Sequence, residues 1–166
     1  MPDVKRTLLH HFLAALAYRT QKALRGAPPW FDAFQAGGQV RSPIQLVRHM
    51  TSVLGYARTF FLDGSYHPEP LPSLAEEVER FHDTLADVAR LVASDTPCRL
   101  TAEQLLQGPF ADAMTHAGQL ALLRRLAGSP VPPEDFIFAE IAPGNLGPEQ
   151  PPPARPDAAW PEAPGP

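Results

Sequence analysis

Apolar residues recur with a period near 3.6 over four long stretches of this chain, and no stretch sustains the alternation of a strand. The first runs from about Val4 to Arg25 (4–25). Leu9, Phe12, Leu13, Leu16 and Ala23 share one stripe, Asp3 stands where a cap belongs, and Gly26 closes the helix. The second covers 43–63. Ser42-Pro43-Ile44-Gln45 reads as a capping box with proline at the first helical position, and the stripe is Leu46, Met50, Val53, Leu54, Ala57 and Phe61 before Gly64. The third, 74–94, opens on a second box, Ser73-Leu74-Ala75-Glu76, and carries Leu74, Val78, Phe81, Leu85, Val88 and Val92. Thr101 to Gln104 starts a short turn that Gly108-Pro109 is expected to break. A fourth helix, 109–127, then stops at Gly128 and Pro130.

Four helices of about 19 to 22 residues, each with one apolar stripe, predict an all-α four-helix bundle over residues 1–130. The link from Gly26 to Arg41 is long enough to cross one end of the bundle. Trp30, Phe31 and Phe34 suggest that it packs there. Residues 131–166 read as an extended Pro-rich tail lying on the bundle or on a partner, since 12 of the 21 prolines follow Gly128. Within it, 134–141 alternates briefly, as a strand or an extended surface segment. From Pro143 onward polyproline II or disorder is expected, with Trp160 as an anchor.

Composition narrows the possibilities. With 166 residues, 44% of them hydrophobic, the chain can fill one sizeable core. A net charge of -4 provides no basic surface, which speaks against nucleic acid as a partner. The single cysteine, Cys98, excludes a disulfide framework and a Cys-rich zinc site, and fits a reduced, cytoplasmic compartment. No apolar run approaches membrane-spanning length and no secretory leader is expected, so no membrane partner is predicted.

The chemistry concentrates in Asp112-Ala113-Met114-Thr115-His116-Ala117-Gly118-Gln119. Asp112 and His116, four apart, stack on one helical face, and His116 shares its stripe with Leu120, Leu123 and Ala127. On the second helix, His49 lies at the edge of the apolar stripe with Tyr56 nearby. His49 is seven residues past its cap, and Asp112 and His116 are four and eight past Gly108. The three reach one height if the second and fourth helices run in the same direction. Antiparallel helices would leave a mismatch of roughly 10 Å at 1.5 Å per residue. Two histidines and one carboxylate make a three-ligand site with open positions, as in catalytic zinc or non-haem iron centres. The plainer reading pairs Asp112 with His116 and leaves His49 as a hydrogen-bonded core histidine. Other candidates carry less. Glu79-Arg80-Phe81-His82 holds one Glu-x-x-His where a di-iron bundle needs two, and both residues read as a solvated face. His10, His11 and His67 read as surface or loop residues. No phosphate-binding loop or nucleophile elbow is present, so no catalytic residue is named.

His49 within Leu46-Val47-Arg48-His49-Met50, and His116-Ala117-Gly118-Gln119-Leu120 before a leucine-rich helix end, resemble the DinB/YfiT-like superfamily over about residues 3–128. The resemblance implies a four-helix bundle, often dimeric, that holds a divalent metal usually on three histidines. It implies a thiol-dependent transferase or isomerase using a low-molecular-weight thiol, or a hydrolase, acting on an unspecified small molecule. Carried over, His49 and His116 match two ligands, and the third position falls on Asp112, where the family usually has histidine. Zinc is the first expectation, and a carboxylate also serves nickel, manganese or iron. Gln119 and Tyr56 would orient substrate or support the ligands. The competing expectation is a metal-free dimeric helical scaffold, with the tail as a docking element.

Overall fold

Asp3 accepts a hydrogen bond from the Lys5 backbone N–H at 2.9 Å and opens α1, Val4–Leu24. The computed structural model describes residues 3–156; Trp160, expected to anchor the tail, lies outside them. The Ser42 N–H donates to Gln45 Oε1 at 3.0 Å at the head of α2, Pro43–Arg58. Ser73 and Glu76 exchange both bonds of a capping box at the head of α3, Leu74–Ala93. Thr101 and Gln104 do the same for the one-turn α4, Ala102–Leu105, and α5 covers Ala111–Leu126. The all-α bundle is thus present, and among the described residues the only β pairing is an isolated bridge between Glu134 and Pro156.

One boundary differs from the sequence pattern. α2 ends at Arg58, because Arg99 captures the next carbonyls: its N–H donates to Phe60 O at 3.0 Å and its guanidinium to Thr59 O at 2.5 Å. Gly108-Pro109 breaks the helix as expected: Gly108 leaves helical geometry at φ -93°, ψ -106°, and α4 meets α5 at a kink within Leu106–Phe110. The one-turn α4 begins at Ala102, about nine residues before α5.

The directions of the rods follow from what meets at their ends. Phe61, just past α2, lines a small cavity with Arg6 from the start of α1, Val92 from the end of α3 and Leu105 from α4. At the other end, buried Arg124 of α5 donates to the carbonyls of Ala23, Arg25 and Gly26 that close α1. So α1 and α5 run one way, and α2 and α3 run the other. The parallel α2–α3 pair is tied by Arg48 to Glu77 near its start and by Arg58 to Asp87 near its end. α2 is antiparallel to α5, contrary to the direction that equal heights seemed to require.

Leu13, Leu16, Met50, Leu54, Phe81, Leu85, Phe110 and Leu120 form the centre of the core, each fully buried. The 26–41 link caps one end as expected: Phe31 is fully buried and Phe34 packs beside it, whereas Trp30 stays 55% exposed. Gly55 lets the segment after α2 close down. A Cβ there would lie 2.1 Å from the ring of Tyr66, whose hydroxyl bonds Thr84 at 3.1 Å.

The tail up to Pro156 lies against the bundle through both polar and apolar contacts. Glu134 is buried where the Tyr18 hydroxyl donates to one carboxylate oxygen and Lys22 Nζ lies 2.9 Å from the other. Arg19 covers the Phe136 ring at 3.7 Å, and Arg25 donates to Gln150 O at 2.6 Å. The stretch expected as a strand is a 3-10 turn, Phe136–Phe138. His82 sits under this tail with its Nδ1 2.7 Å from Leu146 O, so it is buried rather than on a solvated face; Glu79 is exposed as expected. Burial holds the His82 ring below the ordinary histidine range, against the pull of the Leu146 carbonyl and Asp83.

Candidate metal centre

His49 is reached midway along α2, and Asp112 and His116 lie in the first two turns of α5. Side-chain atoms of these three residues lie within 4.8 Å of one another. His116 Nε2 is 3.3 Å from Asp112 Oδ1, His49 Nε2 is 4.0 Å from Asp112 Oδ2, and the two imidazole rings meet edge to face with centroids 4.8 Å apart. The convergence survives antiparallel packing because α4 and the kinked segment after it lie ahead of α5. His116 is 14 residues from Ala102, and His49 is 12 residues from Phe61 at the same end. Counting from Gly108 placed the α5 pair too close to that end.

The donor set suits a divalent cation. Two ligand atoms each about 2.1 Å from one ion lie roughly 3.0–3.4 Å apart. The Asp112–His116 separation already has that value. Closing the others by about 1 Å needs only rotation of Asp112 and His49, whose side chains are 48% and 32% exposed. His116 supplies the sharper observation. Its Nδ1 meets Gln119 Oε1 at 2.9 Å, and because that oxygen can only accept, this contact favours the tautomer with the proton on Nδ1. Its Nε2 then carries a lone pair, is buried, and has no hydrogen-bond partner among the described residues. An orphaned acceptor in a bundle core costs free energy unless something electrophilic meets it. A metal ligand imidazole with its second nitrogen fixed by an acceptor has this arrangement.

The electrostatics keep His49 available as a neutral ligand. Burial lowers its pKa first, and the positive charge of Arg41 and the neighbouring His116 imidazole lower it further against the opposing pull of Asp112. Arg41 carries no motif. It precedes the Ser42 cap on an exposed loop, and only the folded position of that loop relates it to His49. Tyr56 is not brought to the cluster. It is 61% exposed and packs edge-on against Phe60, with ring centroids 5.0 Å apart. Gln119, by contrast, joins through His116. No helix among the described residues is long and apolar enough to cross a membrane. Comparison with protein-family models, with curated proteins and with solved structures finds no match.

Proposed function

We propose that this bundle is a divalent-metal-binding protein of the DinB/YfiT-like kind, with zinc the first candidate on His49, Asp112 and His116, and that it acts on a small molecule by a thiol-transferase-like or hydrolase-like reaction. The observation that carries the reading is the buried, partnerless Nε2 of His116 facing the carboxylate of Asp112 while Gln119 holds the ring's other nitrogen. A bound divalent ion supplies Lewis acidity, bringing water or a thiol to its deprotonated form near neutral pH. The chain's own residues do the rest. His49 and His116 offer neutral lone pairs, and Asp112 offers a negative charge that offsets part of the ion's. Gln119 fixes the tautomer of His116. His116 is buried, whereas the Asp112 and His49 side chains are 48% and 32% exposed, so a small molecule can approach the cluster from their side.

The same proposal includes self-association. α1 and α4 frame an almost wholly apolar groove of about 360 Å³ between Leu8, Phe12, Ala15 and Leu106, with Val4 (71% exposed) and Leu8 (64% exposed) in the water beside it. Lys5 and Glu103 stand at its rim 2.5 Å apart, one of each charge, which suits a two-fold contact with a second copy.

Elemental mass spectrometry of the purified protein after equilibration with zinc and removal of free ion tests the centre. One ion per chain in the parent, and none in His116→Ala, is the expected result. A metal-free parent would overturn it.

A further inference from the structure

The His82 side chain makes one hydrogen bond among the described residues, and it is to the tail. Its Nδ1 lies 2.7 Å from Leu146 O, which can only accept, so Nδ1 carries the proton. Its Nε2 is buried without a hydrogen-bond partner among the described residues, and the Phe81 ring stands edge-on with centroids 5.1 Å apart. The residue is 4% exposed. The pocket therefore suits a ring whose Nε2 is bare. A proton there would add a charge and a donor with no acceptor to meet it.

The loop above His82, residues 142–150, is held together from within. The Asn145 N–H donates to Ala142 O at 2.9 Å and Asn145 Nδ2 to Glu149 O at 2.8 Å, while Gln150 Nε2 donates to Gly147 O at 2.8 Å and Asn145 Oδ1 at 3.1 Å. Among the described residues its hydrogen bonds to the helices are two: the His82 bond, and Arg25 donating to Gln150 O from an exposed position. The Leu146 side chain packs against the core between them. The charge that acts on the His82 ring is Asp83, the next residue of α3. From α2, Arg58 is paired with Asp87. From α1, His10 borders Pro143, Lys22 is paired with Glu134, and Arg25 is on Gln150; the loop itself brings Glu149. None of these bonds or pairs with His82.

We propose that His82 is an acid-released catch for the loop 142–150: with its ring neutral it holds Leu146 down on α3, and with a second proton on Nε2 it lets the loop lift while the helices stay packed. The closed pocket favours the neutral ring, and burial holds it below the ordinary histidine range. The open loop leaves the ring in water, where histidine titrates near about 6.5. The closed form thus binds fewer protons. Closure is at full strength above about pH 6.5 and weakens by up to about tenfold for each pH unit below it, until the closed ring itself titrates.

Nuclear magnetic resonance of the full, isotope-labelled chain from about pH 7.5 to about pH 5 tests this. The Leu146 carbonyl carbon reads the bond, the Asn145 and Gly147 amides read the loop, and the His82 ring carbons read the charge. As the ring protonates, the loop signals of the parent should move toward those of an unstructured chain, while the Leu85 and Leu120 amides keep their positions. His82→Gln still offers an N–H to Leu146 O but takes up no proton, and its loop should stay closed throughout. His10→Gln should respond as the parent does. Loop signals that do not change with pH in the parent, or the same release in His82→Gln, would overturn the proposal, as would loss of the response in His10→Gln. Should His82→Gln fail to close at neutral pH, the parent decides: ring protonation and loop release with one midpoint support the catch, and release from a ring still neutral overturns it.

Discussion

Gln119 Oε1 lies 2.9 Å from His116 Nδ1, one turn further along α5, and offers that nitrogen an acceptor. The amide therefore decides which nitrogen of His116 faces Asp112. Gln119→Ala frees the ring to exchange tautomers and to rotate, and zinc affinity should fall about tenfold or more, as for other groups that orient a metal-bound histidine. Gln119→Glu also accepts and should keep the affinity. Competition against a chromogenic chelator measures both, and an unchanged affinity in Gln119→Ala would remove the amide from the site.

The three ligands should behave as a unit. His49→Ala or His116→Ala should abolish stoichiometric zinc binding. Asp112→His replaces a carboxylate with an imidazole, a good zinc ligand, and should keep or strengthen it. Zinc binding by His49→Ala with the parent's affinity would show that the ion, if held, sits elsewhere.

Acid should loosen the start of the α2–α3 pair through Glu77. Burial pushes its carboxyl up, but hydrogen bonds from Arg48, the Leu71 N–H and Arg80 together outweigh burial and hold it below the ordinary glutamate range. A depressed folded value contributes stability that is complete above the unfolded carboxylate pKa, about 4.3, and is lost as pH falls through the lower folded value. Glu77→Gln should flatten the stability profile in that acid window and cost about 3 kcal/mol at neutral pH, because two guanidinium groups lose their carboxylate. Urea unfolding at a series of pH values checks both; a parent and variant with parallel acid profiles would refute the assignment.

Gly55→Ala should destabilise by about 1–3 kcal/mol, since the new methyl occupies the space of the Tyr66 ring 2.1 Å away and forces the ring and its Thr84 bond out of place. Thermal unfolding reads this directly. A second substitution, Tyr66→Ala, in the Gly55→Ala background should then cost less than Tyr66→Ala alone.

Leu8→Glu tests association without touching the centre. It puts a charge into the apolar groove of α1 and α4, and a dimeric parent should become monomeric in sedimentation while its zinc content stays the same. A parent that is monomeric at every concentration would end the self-association proposal.

The helices were readable because their signals are local. Asp3, Ser42, Ser73 and Thr101 each cap within three or four residues, and stripes such as Val78–Phe81–Leu85–Val88 repeat on the helical period. The candidate ligands were readable for the same reason, as polar groups on or beside apolar stripes. Helix direction was not. It is set by contacts such as Arg124 with the Ala23 carbonyl and Phe61 with Leu105, between residues far apart in sequence. The break at Gly108-Pro109 was readable too, because glycine next to proline ends a helix, and Gly108 leaves helical geometry there. Burial of His82 depends on Leu146, 64 residues away, and no periodicity in its own helix reveals it.

The fastening of Glu134 to Tyr18 and of Leu146 to His82 also orders events during synthesis. Every α-helix is synthesised before either tail residue. Until the tail is added, the Tyr18 hydroxyl lacks its carboxylate acceptor and the His82 imidazole lacks its carbonyl partner. In the nascent chain the His82 ring is an ordinary solvent-facing base. It becomes a desolvated one only when the Leu146 carbonyl arrives to accept its hydrogen bond.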